Sequence, residues 1–141
     1  MEYNTFKSFA YSESFRGRND YADISTSIDR YIGEREVRLF YPQNLFTEQK
    51  PLIAFVFREK DVWVFKSIDF SIEIAVYKYE TIASLMLKQP TSNSSFNTLR
   101  IGFSSGEVFT FNGRDDTNNH HCHKFNEVIT LIFEHVSKNW N

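Results

Sequence analysis

The sequence predicts an α+β domain: a small antiparallel β-barrel or sandwich of about seven strands, closed by a C-terminal amphipathic helix and preceded by a helical extension. Apolar residues in the first third of the chain recur at helical spacing, and the middle contains short segments rich in β-branched and aromatic residues. Helical spacing returns near the C-terminus. Runs of strands followed by a helix, without crossover helices, are typical of α+β and small-barrel folds.

Residues 1–33 are predicted to form a helical extension that packs on the barrel. The longer of its two helices is expected to begin at Asn19 or Asp20 and to end at Gly33, which favours a left-handed C-terminal cap. Its apolar face is formed by Tyr21, Ile24, Ile28, Tyr31 and Ile32. A shorter upstream helix is predicted from the spacing of Phe6, Phe9 and Ala10.

Residues 34–141 are predicted to form the barrel and its closing helix. The clearest strand is FSIEIAVY, in which Phe70, Ile72, Ile74 and Val76 alternate with less apolar residues. Pro42 is expected to end the first strand, and Ser105-Gly106 to form a two-residue hairpin turn. The other strands are EREVRLFY, LIAFVF, VWVF, IASLMLKQ, the alternation of Leu99, Ile101 and Phe103, and EVFTF with Phe109 and Phe111 inward.

The closing helix is predicted after the segment GRDDTNN. Asp115, Asp116, Asn118 and Asn119 are expected to cap its start, since short polar side chains accept hydrogen bonds from the first free N–H groups of a helix. Its apolar stripe is formed by Phe125, Val128, Ile129, Ile132, Phe133 and Val136.

Composition limits the function classes. The chain has 141 residues, which is typical of one domain, and a net charge of -2, too low for a nucleic-acid or anionic-membrane surface. A single cysteine cannot form an internal disulfide and is typical of a reducing compartment. No secretory signal and no apolar stretch of ~20 residues is seen. We therefore expect a cytoplasmic domain.

Residues 79–138 resemble the second half of a bacterial pleckstrin-homology-like domain. The likeness is carried by the Y-x-x-I step from Tyr79 to Ile82, the hairpin motif G-x-x-F-x-F from Gly106 to Phe111, and the closing helix. With the preceding strands it covers residues 34–138. The tryptophan frequent in that helix is absent, because Trp140 lies beyond its last turn. The chain as a whole is similar to small phage-related proteins of Gram-positive bacteria.

The resemblance implies a scaffold for protein contacts. Phosphoinositide-binding members of this fold place several Lys and Arg residues between their first two strands, because several phosphates need several cations. The corresponding segment here, PQNLFTEQKP, has only Glu48 and Lys50 as charged residues. Lipid-headgroup binding is therefore not expected.

The octet NNHHCHKF contains three histidines and the only cysteine. On a helix, His120 and His123 are three residues apart and could share a metal ion. Helical phasing from Phe125, however, places His121 and Cys122 toward the sheet, and His120, His123 and Lys124 toward solvent. We interpret the octet first as the start of a helix. Metal binding by His120 and His123 is the alternative, and a Cys122–His catalytic pair has little support because adjacent residues do not face each other.

Other charged and aromatic residues have structural interpretations. Glu34, Arg35, Glu36 and Arg38 alternate in sign and are expected on a solvated strand edge, while Arg16 and Arg18 are too few for nucleic-acid binding. Several aromatic residues outside the clearest strands are expected to attach the N-terminal helices to the barrel, or else to form an exposed patch for a partner. These are Phe6, Phe9, Tyr11, Phe15, Phe40, Tyr41 and Phe46.

The sequence therefore predicts a non-enzymatic adaptor or scaffold domain that binds another protein. No residue is assigned to catalysis, to a cofactor or to a metal site, and no cofactor is expected. The alternatives are a metal-binding protein or metal-dependent enzyme that uses His120 and His123, and a small-ligand binder in the mouth of the barrel. The expected partner is a protein, with self-association as a further option, rather than nucleic acid or membrane lipid.

Overall fold

The computed structural model describes residues 1–12, 19–47, 49–91 and 96–140. Its three α-helices are α1 (Tyr3–Ala10), α2 (Asn19–Tyr31) and α3 (Cys122–Asn139). Its strands are β1 (Leu39–Gln43), β2 (Ile53–Phe57), β3 (Asp61–Ile68), β4 (Ser71–Lys78), β5 (Ile82–Lys88), β6 (Thr98–Phe103) and β7 (Val108–Asn112). None of the helices in these ranges is long and apolar enough to span a membrane.

The strands form two antiparallel sheets in sequence order. β1 to β4 make the first sheet and β5 to β7 the second, so within each sheet every strand pairs with its neighbours along the chain. The predicted α+β class, the seven strands and the closing helix are confirmed. The sheets are not closed into a barrel, since in the described part of the chain no ladder joins the first sheet to the second.

An aromatic core fills the space between the two sheets and α3. Tyr41 of β1 packs against Phe111 of β7 and Phe125 of α3, with ring centroids 4.9 and 5.0 Å apart. Phe55 of β2 contacts the same Phe111 at 4.7 Å. Fully burying one such side chain stabilises a fold by about 1.5–3 kcal/mol, so these rings hold the sheets together.

A second core lies on the opposite face of the first sheet, under α1 and α2. Phe6 of α1 is fully buried against Phe40 of β1 and Tyr21 of α2, with centroids 5.1 and 5.8 Å away. Phe9 contacts Phe46, which follows β1, at 5.6 Å. The prediction that aromatic residues attach the N-terminal helices is therefore confirmed at these positions. Tyr41 instead lies between the sheets, and Phe15 is outside the described residues.

Polar contacts attach the C-terminal end of α3 and the following Trp140 to the β2–β3 turn and to the start of β5. The carbonyl of Arg58, after β2, lies 2.6 Å from Nε2 of His135 and accepts a hydrogen bond of 2.7 Å from the Tyr79 hydroxyl. Trp140, directly after α3, donates its indole N–H to the carbonyl of Ile82 at 3.0 Å. The tryptophan beyond the last helical turn thus contacts the first residue of β5.

Three local predictions were wrong. Residues 34–36 form a short 3₁₀-helix and not a strand, and Glu36 pairs with Arg58 at 3.1 Å. Pro42 lies within β1, which a proline tolerates because β1 is an edge strand that needs no N–H on its outer side. The β6–β7 turn has three residues instead of the predicted two. It lies between Phe103 and Glu107, and the backbone N–H of Phe103 donates to the carbonyl of Glu107 at 2.8 Å.

Gly113 allows the β7–α3 loop to lie directly against the first turn of α3. A Cβ atom at this position would be 2.7 Å from the carbonyl oxygen of Cys122 and 3.1 Å from the backbone nitrogen of Asn126. Both atoms belong to the helix backbone and cannot rotate away. We expect Gly113→Ala to lower the free energy of unfolding by about 1–3 kcal/mol through overpacking, as measured by urea denaturation.

Gly102→Ala is the matched control, because its new Cβ would lie 2.6 Å from Oγ of Ser84, a hydroxyl on an exposed side chain that can rotate. We expect it to cost less than about 1 kcal/mol. Equal losses in the two variants would show that contact with the helix backbone is not what requires Gly113.

Candidate functional site

The octet NNHHCHKF leads into α3 but is not capped as predicted. The helix begins at Cys122, with His121 as its N-terminal cap and no side-chain cap hydrogen bond. Asn118 accepts a hydrogen bond from the backbone N–H of His120 at 3.1 Å, one turn earlier. The prediction that Asp115, Asp116, Asn118 or Asn119 caps the helix is therefore wrong.

The predicted division of the octet between two faces is confirmed. Cys122 is buried, and its Sγ lies 3.3 Å from the carbonyl of Asn119. His121 is half-buried with its ring 5.1 Å from that of Phe46, whereas His120 and His123 are exposed. His120 precedes the helix, so the helical i, i+3 spacing does not apply to the pair. Within the described residues, no group of three or more His, Cys, Asp or Glu side chains could hold a metal ion.

Asp116 is the centre of a buried polar cluster. Its carboxylate accepts hydrogen bonds from the Tyr41 hydroxyl at 2.5 Å, the backbone N–H of Asn112 at 2.8 Å and the amide of Gln43 at 3.1 Å. Its backbone carbonyl accepts one from the N–H of Asn44 at 2.7 Å. Asp116 therefore fastens the end of β1 to the loop after β7, a structural task, while Asp115 is exposed.

Burial sets the ionisation of this cluster. Desolvation raises the pKa of Asp116 above its ordinary value, although hydrogen bonds from Tyr41, Asn112 and Gln43 act in the opposite direction. Burial, together with the adjacent Asp116 carboxylate, also raises the pKa of Tyr41. The cluster is enclosed by β1, β7 and α3, so we assign it to stability.

A groove of about 690 Å³ lies between α1, β1 and the first half of α3. It is located beside the N-terminal helices and not at the mouth of a barrel. Charges of both signs border it, from Arg38 and Lys124 on one hand and Glu34 and Glu127 on the other. Its apolar lining includes Phe9, Leu39, Phe40, Val128 and Leu131.

Of the remaining residues that the sequence analysis singled out, Lys50 and Tyr11 lie in the described part of the chain. Lys50 is exposed in the β1–β2 connection, while its neighbour Glu48 lies outside the described residues, as do Arg16 and Arg18. Tyr11 is exposed but hydrogen-bonds to Thr26 on α2 at 2.8 Å.

The outer face of β4 carries apolar side chains that the N-terminal helices do not cover. Residues directly opposite each other in the first sheet share a face, so Phe40, Val56, Trp63 and Val76 form one row across its outer side. Exposure increases along this row: Phe40 and Val56 are buried, Trp63 is half-buried, and Val76 is 46 % exposed. In the next row Ile74, opposite the buried Phe65, is 37 % exposed.

The free edge of β4 is less protected than the other sheet edges in its central part. The edges of β1 and β7 are bridged by Gln43, which donates to the carbonyl of Thr110 at 2.9 Å, and β1 contains Pro42. β5 has a register irregularity between Ile82 and Ser84. β4 has eight residues with no proline, glycine or register shift, and its two charged residues, Glu73 and Lys78, lie on either side of the segment Ile74–Tyr77. Proline, bulges, charged side chains and bridging contacts are what normally prevent a further strand from pairing, and the segment between these two charges has none of them.

The turn before β4 presents an exposed phenylalanine in a strained conformation. Asp69 and Phe70 connect Ile68 to its partner Ser71, and both have positive φ, 45° and 65°. This two-residue hairpin loop usually has glycine or asparagine at such positions. Phe70 is completely exposed, so no contact within the described chain offsets its strain.

Together, Phe70, Ile74, Val76 and the free edge of β4 form what we call the β4 surface. The alternation in FSIEIAVY predicted the strand but not that its apolar face would lie outside the sheet sandwich. The inner face of β4 is marked instead by Tyr77, which packs against Phe103 and Phe109 at 4.9 and 5.0 Å. Tyr77 alternates with Ile74 and Val76 along the strand and therefore points to the other face of the sheet. This aromatic residue was the sequence signal that could have identified the inner face.

Asp116 makes stability depend on pH in a defined direction. Because its pKa is raised above 3.8 in the folded chain, the folded state binds this proton more tightly. The resulting stabilisation is fully present below the unfolded pKa and is lost as pH rises through the folded pKa. Asp116→Asn removes this pH-dependent stabilisation because asparagine does not titrate. Its side-chain N–H groups would also face the Gln43 amide, which is a hydrogen-bond donor. We expect the variant to be about 1–2 kcal/mol less stable in acid, with the gap narrowing toward neutral pH.

Urea unfolding of both proteins from acidic to neutral pH measures that gap. Asp23→Asn, at an exposed position on α2, is the matched control and should show a pH dependence close to that of the wild type. A gap for Asp116→Asn that is constant or that widens with pH would contradict a raised pKa.

Comparison with known proteins identifies one family. No curated protein and no solved structure matches this chain. A family profile described as a protein of unknown function, DUF3908, matches residues 2–127, which include the N-terminal helices, both sheets and the beginning of α3. The chain therefore belongs to the DUF3908 family.

Proposed function

We propose that this chain is a non-enzymatic protein-interaction domain with a pleckstrin-homology-like fold, acting in the cytoplasm. The order of elements supports the fold, because four antiparallel strands, then three, then one C-terminal helix follow each other as the resemblance implies. The compartment is proposed from the single cysteine, which is buried.

The observation that carries the proposal is the β4 surface. An edge strand exposes unpaired backbone N–H and C=O groups, and proteins normally block them. β4 combines such an edge with the apolar side chains of Ile74 and Val76 and with the exposed ring of Phe70. A polypeptide that adds a strand here would gain backbone hydrogen bonds from the edge and apolar contacts from the outer face.

The strain at Phe70 supports the same conclusion. A bulky side chain in the left-handed region costs roughly 1–2 kcal/mol relative to glycine, and the described chain makes no contact with the ring that compensates. Strain of this kind is found where a residue is retained for a contact with another molecule.

A small-ligand site is the second candidate, and the groove beside α1 favours it. Its volume of about 690 Å³ lies within the range of small-molecule sites, which runs from about 300 to 1,000 Å³. Its wall combines apolar side chains with Arg38 and Lys124. The acids Glu2, Glu34 and Glu127 line the same groove, so it does not specify the charge of a ligand.

Val76→Lys is the direct test of the β4 surface. A lysine on this edge strand places a charge where a partner's apolar side chains would lie, and edge lysines prevent strand addition. With the tagged full chain as bait, we expect capture of bound protein to fall by about tenfold or more, which corresponds to at least 1.4 kcal/mol. The unfolding free energy should change by no more than about 0.5 kcal/mol, because the site is exposed.

Val108→Lys is the matched control, since Val108 is 47 % exposed on β7, an edge strand of the other sheet. It introduces the same charge at the same exposure and should leave capture unchanged. Equal loss in both variants, or no loss in either, would remove the β4 surface from the proposed function.

Phe70→Gly should separate stability from binding. Glycine adopts positive φ without steric cost, and the exposed ring makes no packing contribution, so the free energy of unfolding should rise by about 1 kcal/mol. Capture of bound protein should fall at the same time because the ring is lost. Thermal unfolding and capture on the same sample measure both effects; a gain in stability with capture unchanged would show that Phe70 has no part in binding.

A further inference from the structure

We propose that the occupant of the β4 surface is a second copy of this chain, whose β4 pairs antiparallel with the first across a two-fold axis through Ala75. This inference rests on the proposed function and names its partner. In the resulting dimer, the first sheets of both copies form one continuous sheet.

The symmetry of strand pairing restricts the possible registers. A two-fold axis perpendicular to the sheet makes the strands antiparallel and keeps each face of the sheet on the same side. Residues opposite each other must then point to the same face of the sheet. Because successive residues of a strand alternate between the two faces, the axis must pass through a residue and not between two residues. With the axis at Ala75, Ile74 lies opposite the partner's Val76, and Val76 opposite the partner's Ile74.

This register continues the apolar rows of the outer face. The row that ends at Trp63 and Val76 proceeds to the partner's Ile74 and Phe65. Two β-branched side chains that are each 37–46 % exposed in one copy therefore cover each other in the dimer. Cross-strand pairs of β-branched side chains stabilise antiparallel strand pairing relative to alanine pairs. Because the axis repeats the contact, the surface is complementary to itself.

The charges on β4 favour the antiparallel arrangement. The strand has one acid, Glu73, near its beginning and one base, Lys78, at its end. In the antiparallel register Glu73 lies opposite the partner's Tyr77 and Lys78 opposite the partner's Ile72, so no like charges meet. A parallel in-register pair would place each charge beside its own copy, which is destabilising. A net charge of only -2 per chain adds little repulsion between copies.

The exposed turn residue also acquires a neighbour in this arrangement. Phe70 directly precedes β4, so in the same register it lies opposite the partner's Glu80, in the 3₁₀ turn of residues 79–81 that follows the strand. The ring thus extends beyond the paired strands to the partner's turn. A contact there would account for a phenylalanine at a position that glycine would occupy with less strain.

Sedimentation equilibrium of the full chain tests the stoichiometry. We expect the wild type to sediment at twice the chain mass of 16.7 kDa, and Val76→Lys at the chain mass itself. Val108→Lys should remain dimeric. A monomeric wild type at every concentration measured, or dissociation of both lysine variants, would overturn the proposal.

Cysteine cross-linking tests the register. In a Cys122→Ser background, which removes the only native thiol, Ala75→Cys would place two cysteines directly opposite each other, with Cβ atoms about 5 Å apart. Mild oxidation should therefore convert it to a covalent dimer. The control Glu73→Cys would place its two thiols roughly 13 Å apart along the strands, beyond the reach of a disulfide. Cross-linking of Glu73→Cys at the rate of Ala75→Cys, or of neither, would overturn this register and the proposal.

The outcomes distinguish this inference from the proposed function. If the wild type is a monomer but Val76→Lys still loses a captured protein of different sequence, the interaction domain stands and the second copy is excluded as its partner. If the wild type is a monomer and captures nothing through β4, both proposals fail.

Discussion

The structure depends on β1 having both of its faces buried. Phe40 and Tyr41 are adjacent in this strand and therefore point to opposite sides of the first sheet. Phe40 lies in the aromatic layer under α1 and α2, and Tyr41 in the layer shared with the second sheet and α3. One short strand thus joins two hydrophobic cores. The Tyr41 hydroxyl adds a third connection through Asp116, which ties the strand to the loop before α3.

This position of β1 also explains why β4 differs from the other strands. The N-terminal helices pack on β1 and, through α2, on β3, whereas Ile74 and Val76 on the outer face of β4 stay 37 and 46 % exposed, so the cover of the outer face is incomplete at the last strand. On the inner side, by contrast, Tyr77 keeps β4 in contact with the second sheet. The strand is consequently fixed on one face and open on the other. A surface that is both rigid and incompletely covered requires little ordering when it binds, which lowers the entropic cost of association.

The sequence predicted the helices and strands better than it predicted their tertiary contacts. Periodicity was sufficient for α2, β4 and α3, since helical and strand spacing are local properties of the chain. Periodicity could not predict the role of Asp116, because two adjacent aspartates before a helix are normally caps. Only the tertiary structure brings Tyr41, which is 75 residues away in the sequence, to the carboxylate of Asp116. Periodicity could not decide which face of β4 is covered, because that depends on how far α2 reaches over the sheet. The exposure of His123, by contrast, was predicted correctly because it follows from the phase of α3, whereas His120 and His121 precede the first helical residue although their burial also agrees with the prediction.

The meander order of the strands has a consequence for the assembly of the fold. Each of the first four strands pairs with the one just made, so these ladders close short loops and cost little chain entropy. The contacts of Tyr41 with Asp116 and of Arg58 with His135 join residues 75 and 77 positions apart. The first contact cannot form before the loop after β7 has been synthesised, and the second cannot form before α3 has been synthesised. During translation, the first sheet and its helical cover can therefore assemble from the N-terminal part of the chain, while its inner aromatic face stays open to water until the second sheet and α3 have been synthesised.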